Sequence, residues 1–148
     1  MPLVTQIEQD IKAAMIARDE TRLSVARLLK SAMKYGAIEK KIDMLTDADA
    51  QAVIQRQIKQ RRESIEQFKT GGRPELVQKE TAELEVLLSY LPKQLGDAEL
   101  EALVQAEIKS AGSATKKDFG RLMKTLTEKT AGQTEPRRIS ELLGKLLP

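Results

Sequence analysis

Lys117, Arg121 and Lys124 stand at i, i+4 and i+7, a spacing that puts all three on one face of a helix. Three cations in a row suit one kind of chemistry, contact with the phosphate oxygens of a nucleic-acid backbone. Arg137 and Arg138 follow closely, Lys116 and Lys129 lie nearby in the chain, and the Gly132-Gln133-Thr134 turn would bring backbone amides to the same anion. The competing reading is a solvated helix face, which rows of charge commonly are. Gly120, inside this helical pattern, costs about 1 kcal/mol against alanine, which implies that something approaches it closely. A neighbouring helix is the expected visitor rather than a ligand.

Catalytic chemistry finds little to work with. The 148 residues include no cysteine and no histidine, which excludes thiol nucleophiles, serine–histidine and cysteine–histidine catalysis, and most zinc chemistry. Only carboxylates and lysines remain, so no catalytic residue, metal ligand set or cofactor is expected. Glu80, Glu83 and Glu85 could be drawn as an acid–base cluster, but a regular helix with no pocket leaves them facing water. Arg61 is different. It sits where an apolar residue belongs in the stripe Ile54, Ile58, Ile65 and Phe68, so its guanidinium must pair or reach for solvent. The acidic stretch that follows offers it Glu80, Glu83 and Glu85, and a structural ion pair is expected there rather than a phosphate site. Tyr90 and the two phenylalanines are too few and scattered for a base-stacking platform and read as packing.

These side chains need helices to carry them, and the pattern supplies seven. Thr5 and Glu8 form a capping-box signature for a first helix over about 6–17, and Asp19 can cap a second over about 20–41. The second has an apolar arc, Leu23, Val25, Ala26, Leu28, Leu29, Ala32 and Met33, too wide for a single neighbour. Thr46 caps a third helix that Gly71-Gly72 stops, and Pro74 opens a fourth with Val77, Thr81, Leu84, Leu88 and Leu91 along the same seam. The third and fourth therefore form an antiparallel hairpin. Pro92 disfavours helical geometry at Leu91 and makes the Leu84–Leu95 stretch a joint.

Beyond the joint, Asp97 starts a fifth helix facing inward through Leu100, Leu103, Val104, Ile108 and Ala111. Thr115 with Asp118 caps a sixth with Phe119, Leu122, Met123 and Leu126, and Pro136 opens a seventh with Ile139, Leu142, Leu143, Leu146 and Leu147. The expected fold class is all-α: an N-terminal long-helix region over 1–92 containing a helical hairpin, then a small three-helix domain over 93–148. Low aromatic content agrees, since aliphatic side chains must fill the core.

Net charge is only +3, but it is unevenly spread. Residues 110–148 are net basic, whereas 75–107 hold eight acids and two lysines, 2 − 8 = −6. No signal-like start and no apolar run of membrane-spanning length is apparent, so a soluble cytoplasmic protein with no membrane partner is expected.

Three segments, Lys59-Gln60-Arg61-Arg62-Glu63-Ser64, Tyr90-Leu91-Pro92-Lys93-Gln94-Leu95 and Asp118-Phe119-Gly120-Arg121-Leu122-Met123, resemble the YqeY family; Arg22-Leu23-Ser24-Val25 and the final Leu142-Leu143 helix also fit. Family members are similar to the C-terminal tail of the B subunit of glutamine-dependent Asp-tRNA/Glu-tRNA amidotransferase. The resemblance implies a helical hairpin region followed by a three-helix tail-like domain. It also implies that the tail contacts tRNA while amide transfer, the carbon–nitrogen ligase chemistry with glutamine as donor, occurs elsewhere in the enzyme. Carried over by position, Lys117, Gly120, Arg121, Gly132, Arg137 and Arg138 become candidate tRNA-binding residues, and Lys124 joins them through its place in the basic row. The expected role is a tRNA-binding accessory module without independent catalysis. The alternative is a protein–protein adaptor for a translation-related enzyme that does not touch RNA.

Overall fold

The computed structural model describes residues 1–148 and is all-helical. In chain order the helices are α1 (Leu3–Ala17), α2 (Glu20–Lys40), α3 (Asp47–Thr70), α4 (Pro74–Ser89), α5 (Asp97–Ser110), α6 (Phe119–Lys129) and α7 (Pro136–Leu146), with a 3-10 turn at Lys116–Asp118 leading into α6. The chain divides into two compact units, Met1–Leu91 and Pro92–Pro148, each with its own apolar core.

In the first unit α2 is central, touching α1, α3 and α4, as its broad apolar arc requires. Val25, Ala26, Leu29 and Met33 of α2 are buried together with Ile7 of α1, Ile54 and Ile58 of α3, and Leu84 and Leu87 of α4. Each large side chain so buried contributes about 1.5–3 kcal/mol. Leu28 departs from the expected arc: it lies on the outer side of α2, half exposed.

Helix ends follow local chemistry with two exceptions. The side chains of Asp19 and Thr46 accept from the N–H groups of Arg22 and Asp49 at 3.1 and 3.2 Å, capping α2 and α3 as expected. Gly72, at φ 68°, ends α3, with the Arg73 N–H reaching the Phe68 carbonyl at 2.9 Å. The α1 start differs. The helix begins at Leu3, inside which Thr5 is an ordinary helical residue, and the Thr5–Glu8 capping box does not form. The Leu3 N–H donates instead to the Asp47 carboxylate at 2.9 Å, so the first turn of α3 caps α1 from 44 residues away. The other exception concerns Arg18 and Lys41, which end α1 and α2 in the left-handed conformation at φ 55° and 57°. Non-glycine residues there give up about 1–2 kcal/mol, offset by 6→1 bonds of 3.0 Å from Asp19 to Ala14 and from Ile42 to Ala37.

Gly36 shows why a glycine is tolerated inside α2. A Cβ there would stand 3.2 Å from Cδ1 of Leu45, the buried residue through which the α2–α3 connection folds back onto the helix.

In the second unit Leu100 and Val104 of α5, Leu122 and Leu126 of α6, and Ile139 and Leu143 of α7 form the core. α6 and α7 both pack on α5 and on each other. Leu103, expected on the inner face of α5, is exposed. The stretch between Pro92 and Asp97 has no helical ladder, so its backbone groups need other partners. Gln133 accepts from the Leu95 N–H at 2.8 Å, and Arg138 Nη1 donates to the Leu95 carbonyl at 3.0 Å.

Candidate nucleic-acid interface

The basic row stands on a well-capped helix entrance. The Thr115 hydroxyl accepts from the Lys117 N–H at 3.3 Å while the Asp118 carboxylate accepts from the Thr115 N–H at 2.9 Å, a reciprocal box that fixes the 3-10 turn and aims α6. Leu122 and Leu126 then bury their side chains, with Phe119 and Met123 half-buried beside them. By helical periodicity the opposite face carries Lys117, Gly120, Arg121 and Lys124, all exposed. Lys117 and Lys124 have no internal ion pair. Arg121 donates to Asp118 at 3.1 Å, an i,i+3 pair with the arginine side chain still 63% exposed. Asp118 is held below the usual carboxylate range first by the Thr115 N–H and then by the charge of Arg121, with desolvation opposing. Surface pairs of this kind are worth about 0–1 kcal/mol, so Arg121 can leave its carboxylate at little cost.

Gly120 has nothing within 4 Å of where a Cβ would be. The neighbouring helix expected to approach it is absent, and the space above it opens to solvent.

The remaining candidates divide. Arg137 is exposed at the start of α7, paired with Glu141 at 3.0 Å. Arg138 is turned inward, donating to the Leu95 carbonyl and to Asp97 at 2.5 Å. Gly132, at φ 76°, is buried, and its carbonyl accepts from Gln94 Nε2 at 2.8 Å. The Gln133 N–H is used by Thr130. This turn is thus stitched to 94–97, and its glycine supplies the left-handed geometry the stitching needs. Lys129 pairs with Glu107 of α5 at 2.6 Å. The structure therefore brings Lys117, Gly120, Arg121 and Lys124 onto one open face, leaves Arg137 exposed on the next helix, and employs Gly132 and Arg138 inside the unit.

The first unit uses its arginines differently. Arg61 Nη1 donates to Glu80 at 2.9 Å and also to Glu83, which is buried. This is the structural ion pair expected on the α3–α4 seam, and it corrects the picture of three solvated glutamates: only Glu85 is exposed, because the others turn inward to neutralise a cation that has displaced an apolar residue. A second cluster escaped sequence reasoning. Asp10 of α1 accepts from Arg22 of α2 at 2.9 Å and from the Tyr90 hydroxyl at 2.6 Å, and the Arg22 guanidinium lies 5.6 Å from the Tyr90 ring centre. Burial, followed by the Asp10 carboxylate, raises the Tyr90 pKa above its ordinary value. The separations of 12, 68 and 80 residues left no local signal beyond the family-like Arg22-Leu23-Ser24-Val25 segment. Nowhere are three carboxylates gathered as a metal site would need.

A family model described as Yqey-like protein matches residues 4–147. The chain belongs to the YqeY family. Among curated relatives, altered inheritance of mitochondria protein 41, mitochondrial, of Pyrenophora tritici-repentis is 27% identical over 152 residues, covering 96% of this chain and 81% of that protein. The proteins of the same name from Eremothecium gossypii and Lachancea thermotolerans are each 33% identical, over 60% and 68% of this YqeY chain. The chain spans about half the length of those two, 48% and 55%. These relatives are named as mitochondrial; in the present chain no helix is long and apolar enough to cross a membrane.

Proposed function

We propose that this YqeY-family protein is an RNA-binding accessory module that contacts the tRNA backbone through α6 and works in the cytoplasm beside enzymes of translation, without an amide-transfer reaction of its own. The observation that supports it most directly is the open row Lys117, Arg121 and Lys124, with Gly120 leaving room above the helix. Cations on an exposed helix face, two of them unpaired and one in an exchangeable surface pair, are arranged to replace counterions along a phosphodiester backbone. Arg137 extends the reach of the face, whereas Arg138 is engaged by Leu95 and Asp97.

The test is a titration of the full chain against total tRNA at roughly 50 and 200 mM salt, with duplex DNA as control. Three phosphate contacts lower affinity roughly 20- to 40-fold over that fourfold rise. Arg121→Glu with Lys124→Glu abolishes most of the binding and flattens the salt slope while leaving the helical circular dichroism unchanged. Binding that ignores salt or the double variant overturns this reading, and a protein partner retained after nuclease treatment then favours the adaptor role.

A further inference from the structure

The outer side of α2 carries a pattern that the fold leaves unused. Ser24, Leu28, Ser31, Tyr35 and Ile38 follow one another at spacings of 4, 3, 4 and 3, and Ile42 continues the series just past the helix end. This is the seam periodicity of a helix that packs against another along its length. None of these residues reaches the core, which is served by Val25, Ala26, Leu29, Met33 and Ala37 on the opposite side. Leu28 is 50% exposed, Tyr35 66%, Ile38 65% and Ile42 42%, while both serines are exposed. Ser24 and Ser31 are small, and with Leu28 they line a shallow groove bounded by Glu20, Leu23 and Arg27. A groove between small residues with large apolar ones above and below accepts the knobs of a partner helix.

Charge identifies the occupant. Immediately before Leu28 and Tyr35 stand Arg27 and Lys34, exposed cations seven residues apart along one edge of the seam, with Glu20 one heptad earlier at the start of the helix and Lys41 just past its end. In helix pairs, edge charges of this kind set the choice and orientation of the partner. Two copies of this chain meeting antiparallel through the seam would bring these cations against each other. A flat anionic surface would leave the serine groove unfilled.

We infer that the exposed face of α2 is a docking surface for an amphipathic helix of another protein, one with aliphatic residues in a 4-3 repeat and Asp or Glu on the facing edge. This surface lies in the first unit and does not depend on the RNA-binding reading of α6.

The probe is a pair of synthetic helical peptides of about four heptads, identical in their leucine seam and carrying either Glu or Lys at the edge positions, plus a scrambled Glu peptide of the same composition. The full chain binds the patterned Glu peptide about tenfold or more tighter than the Lys and scrambled peptides, the order expected when like charges are juxtaposed in one arm only. Leu28→Asp with Ile38→Asp removes that binding while the chain stays folded, with a loss of stability limited to helix propensity and the half-covered Leu28 surface. Arg27→Glu with Lys34→Glu reverses the preference toward the Lys peptide. Equal binding of the patterned and scrambled Glu peptides, indifference to Leu28→Asp with Ile38→Asp, self-association in sedimentation that these same substitutions abolish, or binding to anionic vesicles that they abolish would each overturn the inference.

Discussion

Arg61 and Arg121 are the same residue type on amphipathic helices, yet they have opposite fates. In the first unit Arg61 occupies a seam position, is mostly covered, and is held by Glu80 and Glu83. In the second unit Arg121 projects from α6, with one carboxylate beside it on its own helix. A charge row in sequence becomes an open face only where the apolar stripe leaves it outside. A cation placed within the stripe becomes a registry device. The surface pair of Arg121 exchanges with solvent at little cost, whereas removing Arg61 strands a buried carboxylate.

Arg61→Met leaves Glu83 buried without its partner and lowers stability by about 3 kcal/mol in urea unfolding, and adding Glu80→Met with Glu83→Leu restores much of the loss. Arg121→Met in the same assay changes stability by less than about 0.5 kcal/mol. Equal effects at the two positions would dissolve the distinction between inward and outward cations.

A smaller effect sharpens the picture of the first unit. Tyr90→Phe removes the hydroxyl donated to Asp10 and costs about 1–2 kcal/mol. The pH dependence has a definite sign. The folded-state pKa of Tyr90 is raised above the ordinary phenol value of about 10, so the neutral phenol is favoured in the folded protein. Its contribution is complete below pH 10 and is lost as pH climbs from there toward the folded-state pKa. Unfolding curves at pH 8 and pH 11 show a larger alkaline loss for the native chain than for Tyr90→Phe; parallel losses would mean the buried phenol does not titrate differently from an exposed one.

The smallest effect has the opposite sign. Gly120→Ala stabilises the second unit by about 0.5–1 kcal/mol, since no atom stands where the methyl would go and alanine is the better helix former. A destabilisation measured by thermal melting would mean that the first turn of α6 is not the open helix described.

Much of the fold was legible locally. Caps at Asp19, Thr46 and Thr115, prolines at the starts of α4 and α7, and the glycine after α3 are short-range chemistry, written within a few residues of where they act. The i, i+4, i+7 spacing likewise placed Lys117, Arg121 and Lys124 together, because the helix itself fixes that geometry. Other expectations depended on which surface a neighbour covers. Periodicity makes Gly120 a helix contact, yet it is open; it puts Leu103 and Leu28 in the core, yet they are exposed; and adjacency groups Arg138 with Arg137, although one residue of helical rotation turns it inward to Leu95 and Asp97.

By itself, then, the sequence determined an all-helical chain, the apolar stripe of each helix, and the absence of thiol and imidazole chemistry. Those follow from composition and from periodicities of three to four residues. Tertiary structure decided that Asp47 caps α1, that Asp10, Arg22 and Tyr90 meet, and that Glu83 is buried while Glu85 is not. It also left the Leu28–Ile38 face of α2 without a partner inside the chain. The physical reason is one of range: a helix fixes its own faces within two turns, but which face meets water is settled by residues 12 to 80 positions away, whose arrival no local pattern records.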